Sequence, residues 1–115
     1  MAAERSVETA FQDEMERICR DYEKLTGKRP QRFLNMVRSD GAVATAHHFL
    51  SQPVESISSG LEEVVDHDRL DLTLEHVVLK EPFSLGLGLS EAELQTATER
   101  LAILEEWVRM RRSRA

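Results

Sequence analysis

The sequence predicts an all-α protein, a compact bundle of five or six helices with long first and last helices and short helices between them. Two observations support this class. Apolar residues recur at intervals of three and four along most of the chain, which is the spacing of one helix face. Capping signals and Gly, Pro and Ser clusters separate these apolar segments, as helix ends require. With 115 residues, 41% of them apolar, residues 1–115 are expected to form a single helical domain.

The first helix is marked by apolar side chains that step by four or three along one face. They are Val7, Phe11, Met15, Ile18, Tyr22 and Leu25. Ser6 is placed to cap the start of this helix. Gly27 stands where a left-handed C-cap belongs, and Pro30 suits the first turn of the next helix.

Two short helices are predicted next. Their apolar residues are Phe33, Leu34, Met36 and Val37 in the second helix, and Val43, Ala46, Phe49 and Leu50 in the third. Residues 39–41, Ser-Asp-Gly, break the pattern between them, and the third helix should end near Pro53. We expect residues 53–58 to form a loop.

The run from Gly60 to Leu79 predicts two further short helices around an elbow, DRLDLT, at residues 68–73. Each helix carries three apolar residues at helical spacing, namely Leu61, Val64 and Val65, and then Leu74, Val77 and Val78. Ser59 and Glu62 have the form of a capping box, and Asp71 is placed to cap the following helix. The segment SLGLG at residues 84–88 is interpreted as a connector whose leucines hold it to the core, because it lacks the pattern of a phosphate loop.

The last helix has the strongest start signal, a capping box of Ser90 and Glu93. One apolar row has the spacing of a coiled-coil seam and comprises Leu94, Ala97, Leu101, Leu104 and Val108. A second row contains Ile103, Trp107 and Met110, and we predict that it contacts a protein partner or a second copy of the chain. The alternative is a central helix that the rest of the bundle wraps on both sides.

Charge is unevenly distributed. Residues 17–38 hold seven basic and two acidic residues, whereas residues 53–108 hold thirteen acidic and three basic ones. Residues 109–115 form a basic C-terminal tail. The acidic part is interpreted as a solvated face, with a basic protein partner or a mimic of DNA as alternatives.

The basic groups raise the alternative of a small nucleic-acid-binding domain. The residues predicted to contact phosphates are Lys28, Arg29, Arg32, Arg38, Arg109, Arg111, Arg112 and Arg114. Two facts weigh against this function. The net charge of the chain is −6, and arginines at a helix C-terminus also stabilise the helix dipole.

No catalytic residue, metal ligand or cofactor is predicted. The four histidines have no nucleophile or carboxylate at a recognised catalytic spacing. Asp66, Asp68 and Asp71 do not match a calcium loop, which needs Gly at its sixth position and Glu at its twelfth. Cys19 is the single cysteine and is expected to be a small buried apolar residue.

No contact with a membrane is expected either. The chain has no apolar run near 18 residues and no recognisable signal peptide, so the predicted location is the cytoplasm.

Several segments between residues 32 and 101 carry a family resemblance. They are GAVATAHHFL at residues 41–50, Ser59 and Gly60, RLDLTLEHVVL at residues 69–79, and Pro82, Phe83, Ser90, Glu91 and Leu101. This region resembles the N-terminal head domain of McrA-like modification-dependent restriction endonucleases, a small bacterial domain that also occurs alone. The chain departs from the family pattern at Leu61, Val65 and Asp68, where an aromatic residue, Trp and Gly are expected. Asp tolerates a left-handed backbone, so the elbow can survive the last change.

The matching positions are mostly apolar or turn residues, so the resemblance implies a shared fold more strongly than a shared activity. In the family, the head domain accompanies separate DNA-reading and nuclease domains, and none of their catalytic motifs occurs in this chain. We therefore predict a non-catalytic adaptor or regulatory module that binds protein in a bacterial restriction or phage-defence system. The alternative is the nucleic-acid-binding domain described above.

Overall fold

The computed structural model describes residues 6–114, and this part of the chain folds into helices with short connections. The elements are α1 (Val7–Thr26), α2 (Gln31–Asp40), α3 (Ala42–Leu50), α4 (Ser59–Asp66), a 3-10 turn (Leu70–Leu72), α5 (Leu74–Val78), α6 (Phe83–Gly86) and α7 (Glu91–Arg114). The predicted all-α class is confirmed, and all six of the predicted helices are present.

The additional helix, α6, lies in the segment that was predicted to be a connector. It is a single turn in which Gly86 donates to the carbonyl of Pro82 at 2.9 Å. Two glycines lower the helix propensity of this segment, so the turn depends on its packing. Phe83 anchors it, because its ring lies 5.3 Å from that of Phe11 in the core. Of the leucines, Leu87 is buried whereas Leu85 is 79% exposed.

The ends of the long helices agree with the prediction. Ser6 accepts a hydrogen bond from the backbone N–H of Thr9 at 3.0 Å, and Gly27 ends α1 with φ of 75°. The Ser90–Glu93 capping box is confirmed, with reciprocal bonds of 2.9 and 3.0 Å. These signals act between neighbours in sequence, which explains why the sequence reveals them.

Two predicted caps are wrong. Helix α4 already includes Ser59, and Ser58 is its N-cap without a side-chain capping bond, so the Ser59–Glu62 box does not form. Helix α5 is capped by Thr73, whose hydroxyl accepts from the N–H of His76 at 3.1 Å. Asp71 belongs to the preceding 3-10 turn, and its carboxylate is bound by Arg69 instead.

The elbow before α5 contains a residue other than Gly in the left-handed conformation. Asp68 adopts the left-handed backbone conformation, with φ of 54°, at the position where a Gly was expected. A bulky or β-branched residue would be strained there, whereas Asp is among the residues that tolerate it.

Helix α7 is central, because it packs against α3, α4 and α5. Its buried side chains are Ala97, Arg100, Leu104 and Val108. The predicted seam is therefore buried at Ala97, Leu104 and Val108. Leu94 and Leu101 are only half-buried, and Arg100 takes a place on the buried face instead. The charge of Arg100 can be buried there because acceptors from other elements surround it.

Candidate binding cleft

A cleft of about 760 Å³ opens between α1 and α4. We call it the α1–α4 cleft. Its walls are formed by residues 28–33 and 56–61, and by Ile18, Cys19, Tyr22, Met36, His48, Phe49, Gln52, Glu63 and Val64. Residues 72–75 and Arg100 line its deepest part. Pockets that hold ligands typically measure about 300–1,000 Å³, so this cleft is large enough to bind one.

Half-buried aromatic and aliphatic side chains give the cleft an apolar wall. The rings of Phe33 in α2 and Phe49 in α3 lie with their centroids 5.6 Å apart. Tyr22 contributes from α1, Ile57 from the loop before α4, and Leu61 from the first turn of α4. A concave surface that leaves such side chains half-exposed is the kind of surface that a partner covers.

A buried ion pair lies at the deep end of the cleft. Arg100 of α7 and Glu75 of α5 are only 2% and 3% exposed, and the Nη1 of Arg100 lies 2.9 Å from a carboxylate oxygen of Glu75. Two buried charges are tolerated when they are paired and their remaining polar atoms are hydrogen-bonded. That condition is met here, as the other contacts of Arg100 show.

Arg100 also holds the segment that follows α3. Its Nε and Nη atoms donate to four backbone carbonyls, those of Phe49 at 3.3 Å, Gln52 at 3.3 Å, Pro53 at 2.9 Å and Val54 at 3.2 Å. Together with Glu75, these acceptors use all five N–H donors of the guanidinium. Residues 49–54 are thus fixed against α7, which places one wall of the cleft.

The rim of the cleft is basic. Lys28, Arg29 and Arg32 line it beside Pro30 and Gln31. Lys28 pairs with Glu63 at 2.7 Å, and Arg29 pairs with Glu23 at 3.0 Å. The pairing with Glu63 raises the pKa of Lys28, which therefore stays charged. Arg32 is exposed and forms no ion pair with any residue in the described range 6–114.

Burial raises the pKa of two ionisable side chains in the wall, both of which are neutral at neutral pH. Burial raises the pKa of the Cys19 thiol to about 11, so at neutral pH the sulfur is a protonated thiol and a poor nucleophile. Burial likewise raises the pKa of Tyr22. Its hydroxyl lies beside Gly60 and stays protonated at neutral pH, so it can donate a hydrogen bond into the cleft.

Most residues of the predicted nucleic-acid surface are engaged in ion pairs. The pairs are Lys28 with Glu63, Arg29 with Glu23, Arg38 with Glu16, Arg109 with Glu106, Arg111 with Asp66, and Arg112 with Asp68. Only Arg32 and Arg114 among the eight have no such partner within the described residues. These pairs cancel much of the positive potential that would attract phosphates.

The acidic helix α4 contacts basic residues from both ends of the predicted nucleic-acid surface. Glu63 faces Lys28, whereas Glu62 lines a hollow together with Arg111 and Arg114 of the tail. Lys28 and the C-terminal tail thus lie beside different residues of α4, and each is paired with a carboxylate there.

The second row of α7 is partly used by the fold itself. Ile103 and Trp107 are half-buried, and Met110 is 47% exposed. Trp107 packs against a small core cluster that contains Val65, Leu104 and Val108. Trp107 and Met110 also line the hollow near Glu62, which has a volume of about 210 Å³. The row stays a predicted interface, and the hollow beside it has a smaller volume than the α1–α4 cleft.

The histidines have separate roles. His47 Nδ1 lies 2.5 Å from the carboxylate of Glu93, which joins α3 to the start of α7. His48 is exposed at the rim of the cleft, with its ring at 5.0 Å from that of Phe49. Within residues 6–114, no three His, Cys, Asp or Glu side chains are grouped closely enough to hold a metal ion.

No helix between Ser6 and Arg114 is both long enough and apolar enough to cross a membrane.

The cleft was not predicted from the sequence. Its aromatic residues were assigned to the core, and Arg100 was not considered. One signal was present, because Arg100 follows Ala97 by three and precedes Leu104 by four, so a charged residue interrupts an apolar stripe. Such a residue needs a buried partner, and the short apolar helix around Glu75 supplies it.

Comparison with protein-family models, with curated proteins and with solved structures finds no match for this chain.

Proposed function

We propose that this protein is a non-catalytic protein-interaction module that holds a segment of a partner protein in the α1–α4 cleft. The observation that carries the proposal is the cleft itself, with its half-exposed aromatic wall and a volume of about 760 Å³. Apolar side chains that enter a preformed pocket contribute most of the free energy in many protein interfaces.

Preorganisation of the cleft supports this proposal. Arg100 ties residues 49–54 to α7 through four carbonyls, and Lys28 ties the α1–α2 connection to α4. A cleft whose walls are already positioned loses less conformational entropy when a partner binds. The buried side-chain nitrogen and oxygen atoms of the described residues are hydrogen-bonded, so the occupant need not satisfy them.

The biological setting is a separate part of the proposal. It rests on the resemblance to McrA-like head domains and places the module in a bacterial restriction or phage-defence system as an adaptor or regulator. The row Ile103, Trp107 and Met110 would then be available as a second contact, because Met110 remains exposed next to the hollow at α4.

The test is a variant that fills the cleft. Gly60 lines it, has no left-handed backbone, and a Cβ placed there would meet only ordinary contacts, the nearest at 3.6 Å. Gly60→Phe should therefore fold and place a ring in the cleft. Peptides selected against the wild-type protein from a random display library would be synthesised and labelled, and their binding measured by fluorescence anisotropy. We expect saturable binding to the wild type and a loss of affinity of at least about tenfold in Gly60→Phe.

The matched control is Ala102→Phe, which adds the same ring at an exposed position of α7 outside the cleft. It should bind like the wild type. Circular dichroism and urea unfolding would establish that both variants fold, and Ser56→Trp, on the exposed loop that lines the cleft, replaces Gly60→Phe if that variant does not. Selected peptides that bind Gly60→Phe and Ser56→Trp as tightly as the wild type, or a selection that enriches no binder, would refute the proposal.

A further inference from the structure

We infer that the segment bound in the α1–α4 cleft is amphipathic and acidic, with apolar side chains that enter the cleft and carboxylates that meet Arg32 and Arg29 at its rim. This inference rests on the proposed function and adds the chemical class of the partner.

The side chains that line the cleft carry a net positive charge. Four basic residues, Lys28, Arg29, Arg32 and Arg100, line the cleft against two acidic ones, Glu63 and Glu75. Both acidic residues are already neutralised, Glu63 by Lys28 and Glu75 by Arg100. Of the other two basic residues, Arg29 pairs with Glu23 at the rim and Arg32 has no partner within the described residues, while the whole chain carries −6. The cleft is thus locally opposite in sign to the molecule around it.

Arg32 is placed to bind a carboxylate beside the apolar wall of the cleft. It is exposed in the first turn of α2, directly before the half-buried Phe33, and no described residue pairs with it. A carboxylate that binds Arg32 therefore lies next to an apolar side chain that contacts Phe33. Arg binds carboxylates through two parallel N–H groups, so it favours an acidic partner over a merely polar one.

Arg29 forms only a weak ion pair with Glu23. The Arg29 and Glu23 side chains are 58% and 43% exposed, and exposed pairs of this kind contribute little to stability. A carboxylate of the partner can therefore compete with Glu23 at small cost. Rim contacts of this type change selectivity and the association rate more than they change the total affinity.

The test compares three labelled peptides of about 16 residues, a length at which an isolated helix begins to be stable. All three carry Leu at helical spacing on one face, and their polar faces carry Glu, Gln or Lys at the same positions. We expect the Glu peptide to bind most tightly, the Gln peptide less tightly and the Lys peptide least. The affinities of the Glu and Lys peptides should differ by about tenfold at low salt, and this difference should narrow as the salt concentration is raised. The overall charge of −6 favours the Lys peptide, so a preference for Glu reports on the cleft.

Two charge variants locate the effect. Arg32→Glu should abolish or reverse the preference, whereas Arg20→Glu, at an exposed position of α1 outside the cleft, should preserve it. Gly60→Phe should weaken the binding of all three peptides. A Glu preference that persists unchanged in Arg32→Glu would overturn the inference, as would three peptides of equal affinity.

Failure of the inference and failure of the proposed function give different results. If the three peptides bind the wild type with equal affinity and do not bind Gly60→Phe, the preference for an acidic segment is refuted. The cleft would then remain a protein-binding site. Decanoate that binds the wild type but not Gly60→Phe, with no binding of designed or display-selected peptides, would overturn both and assign the cleft to a carboxylate amphiphile. The inference alone would be overturned if the designed peptides do not bind while display-selected peptides bind the wild type and not Gly60→Phe.

Discussion

The guanidinium of Arg100 donates to the carboxylate of Glu75 over 2.9 Å, at a place where neither side chain is more than 3% exposed. The pair joins the long α7 to the five-residue α5. Because Arg100 also binds four carbonyls of residues 49–54, one side chain holds a helix, a loop and a wall of the cleft together.

Removing one member of this pair should destabilise the protein strongly. Arg100→Met leaves the carboxylate of Glu75 buried without its partner, which typically costs about 3–5 kcal/mol. Urea unfolding followed by circular dichroism would measure the loss, and Arg100→Met combined with Glu75→Leu should recover part of it. Lys80→Met is the control, since the Lys80–Glu14 pair is much more exposed than Arg100–Glu75 and should contribute less than about 1 kcal/mol. Equal effects of Arg100→Met and Lys80→Met would contradict this account.

Acid should weaken the junction between α3 and α7. Burial alone would raise the pKa of Glu93, but hydrogen bonds from the Ser90 N–H and from His47 outweigh it and lower that pKa below 4.5. A lowered folded-state pKa stabilises the native protein above the unfolded value, and this stabilisation is lost as pH falls through the folded pKa. The free energy of unfolding should therefore fall below about pH 4.5 more steeply in the wild type than in Glu93→Gln.

The measurement is urea unfolding at a series of pH values from neutral to acidic. Glu91→Gln serves as the control, because Glu91 is exposed in the same turn of α7 and lies outside the capping box. Parallel pH profiles for the wild type and Glu93→Gln would show that this carboxylate does not contribute to the acid response.

Truncating Trp107 should lower stability even without a partner. Removal of a fully buried Trp side chain costs about 3–5 kcal/mol, and the half-buried Trp107 should cost about half as much when replaced by Ala. Urea unfolding by circular dichroism would give the value. Met110→Ala, at the exposed end of the row, should change stability by less than about 0.5 kcal/mol.

This comparison also separates the two roles of the row. If the surface formed by Ile103, Trp107 and Met110 binds a partner or a second copy, Met110→Glu should weaken that association while the unfolding midpoint stays unchanged. Sedimentation velocity of the wild type and Met110→Glu over a range of concentrations would detect self-association. A Trp107→Ala protein as stable as the wild type would contradict the packing described for this side chain.

Binding to duplex or single-stranded DNA should be weak at physiological salt. Six of the eight candidate arginines and lysines are paired with carboxylates, and the net charge is −6. Fluorescence anisotropy of labelled DNA should stay flat at physiological salt when the protein is added. Saturable binding that weakens log-linearly with salt, and that is lost in Arg32→Ala or Arg114→Ala, would instead support a nucleic-acid-binding function.

The helices of this protein were largely predictable from the sequence, because their signals act over a few residues. Ser6, Gly27, Ser90 and Glu93 mark helix ends through bonds to near neighbours, and the structure contains each of these caps. The prediction was wrong where two local partners compete. Asp71 binds Arg69 and leaves the cap of α5 to Thr73, and a choice of this kind depends on the fold of the whole elbow.

The sequence by itself therefore determined the helical class, the main boundaries and most of the core, because helical periodicity and capping are local properties. Only the tertiary structure decided that Arg100 is buried and that an aromatic cleft lies above it. The reason is physical, since burial of a guanidinium requires acceptors from many directions. Here they come from Glu75 and from residues 49–54, which are remote from Arg100 in sequence and meet it only when α3, α5 and α7 pack together.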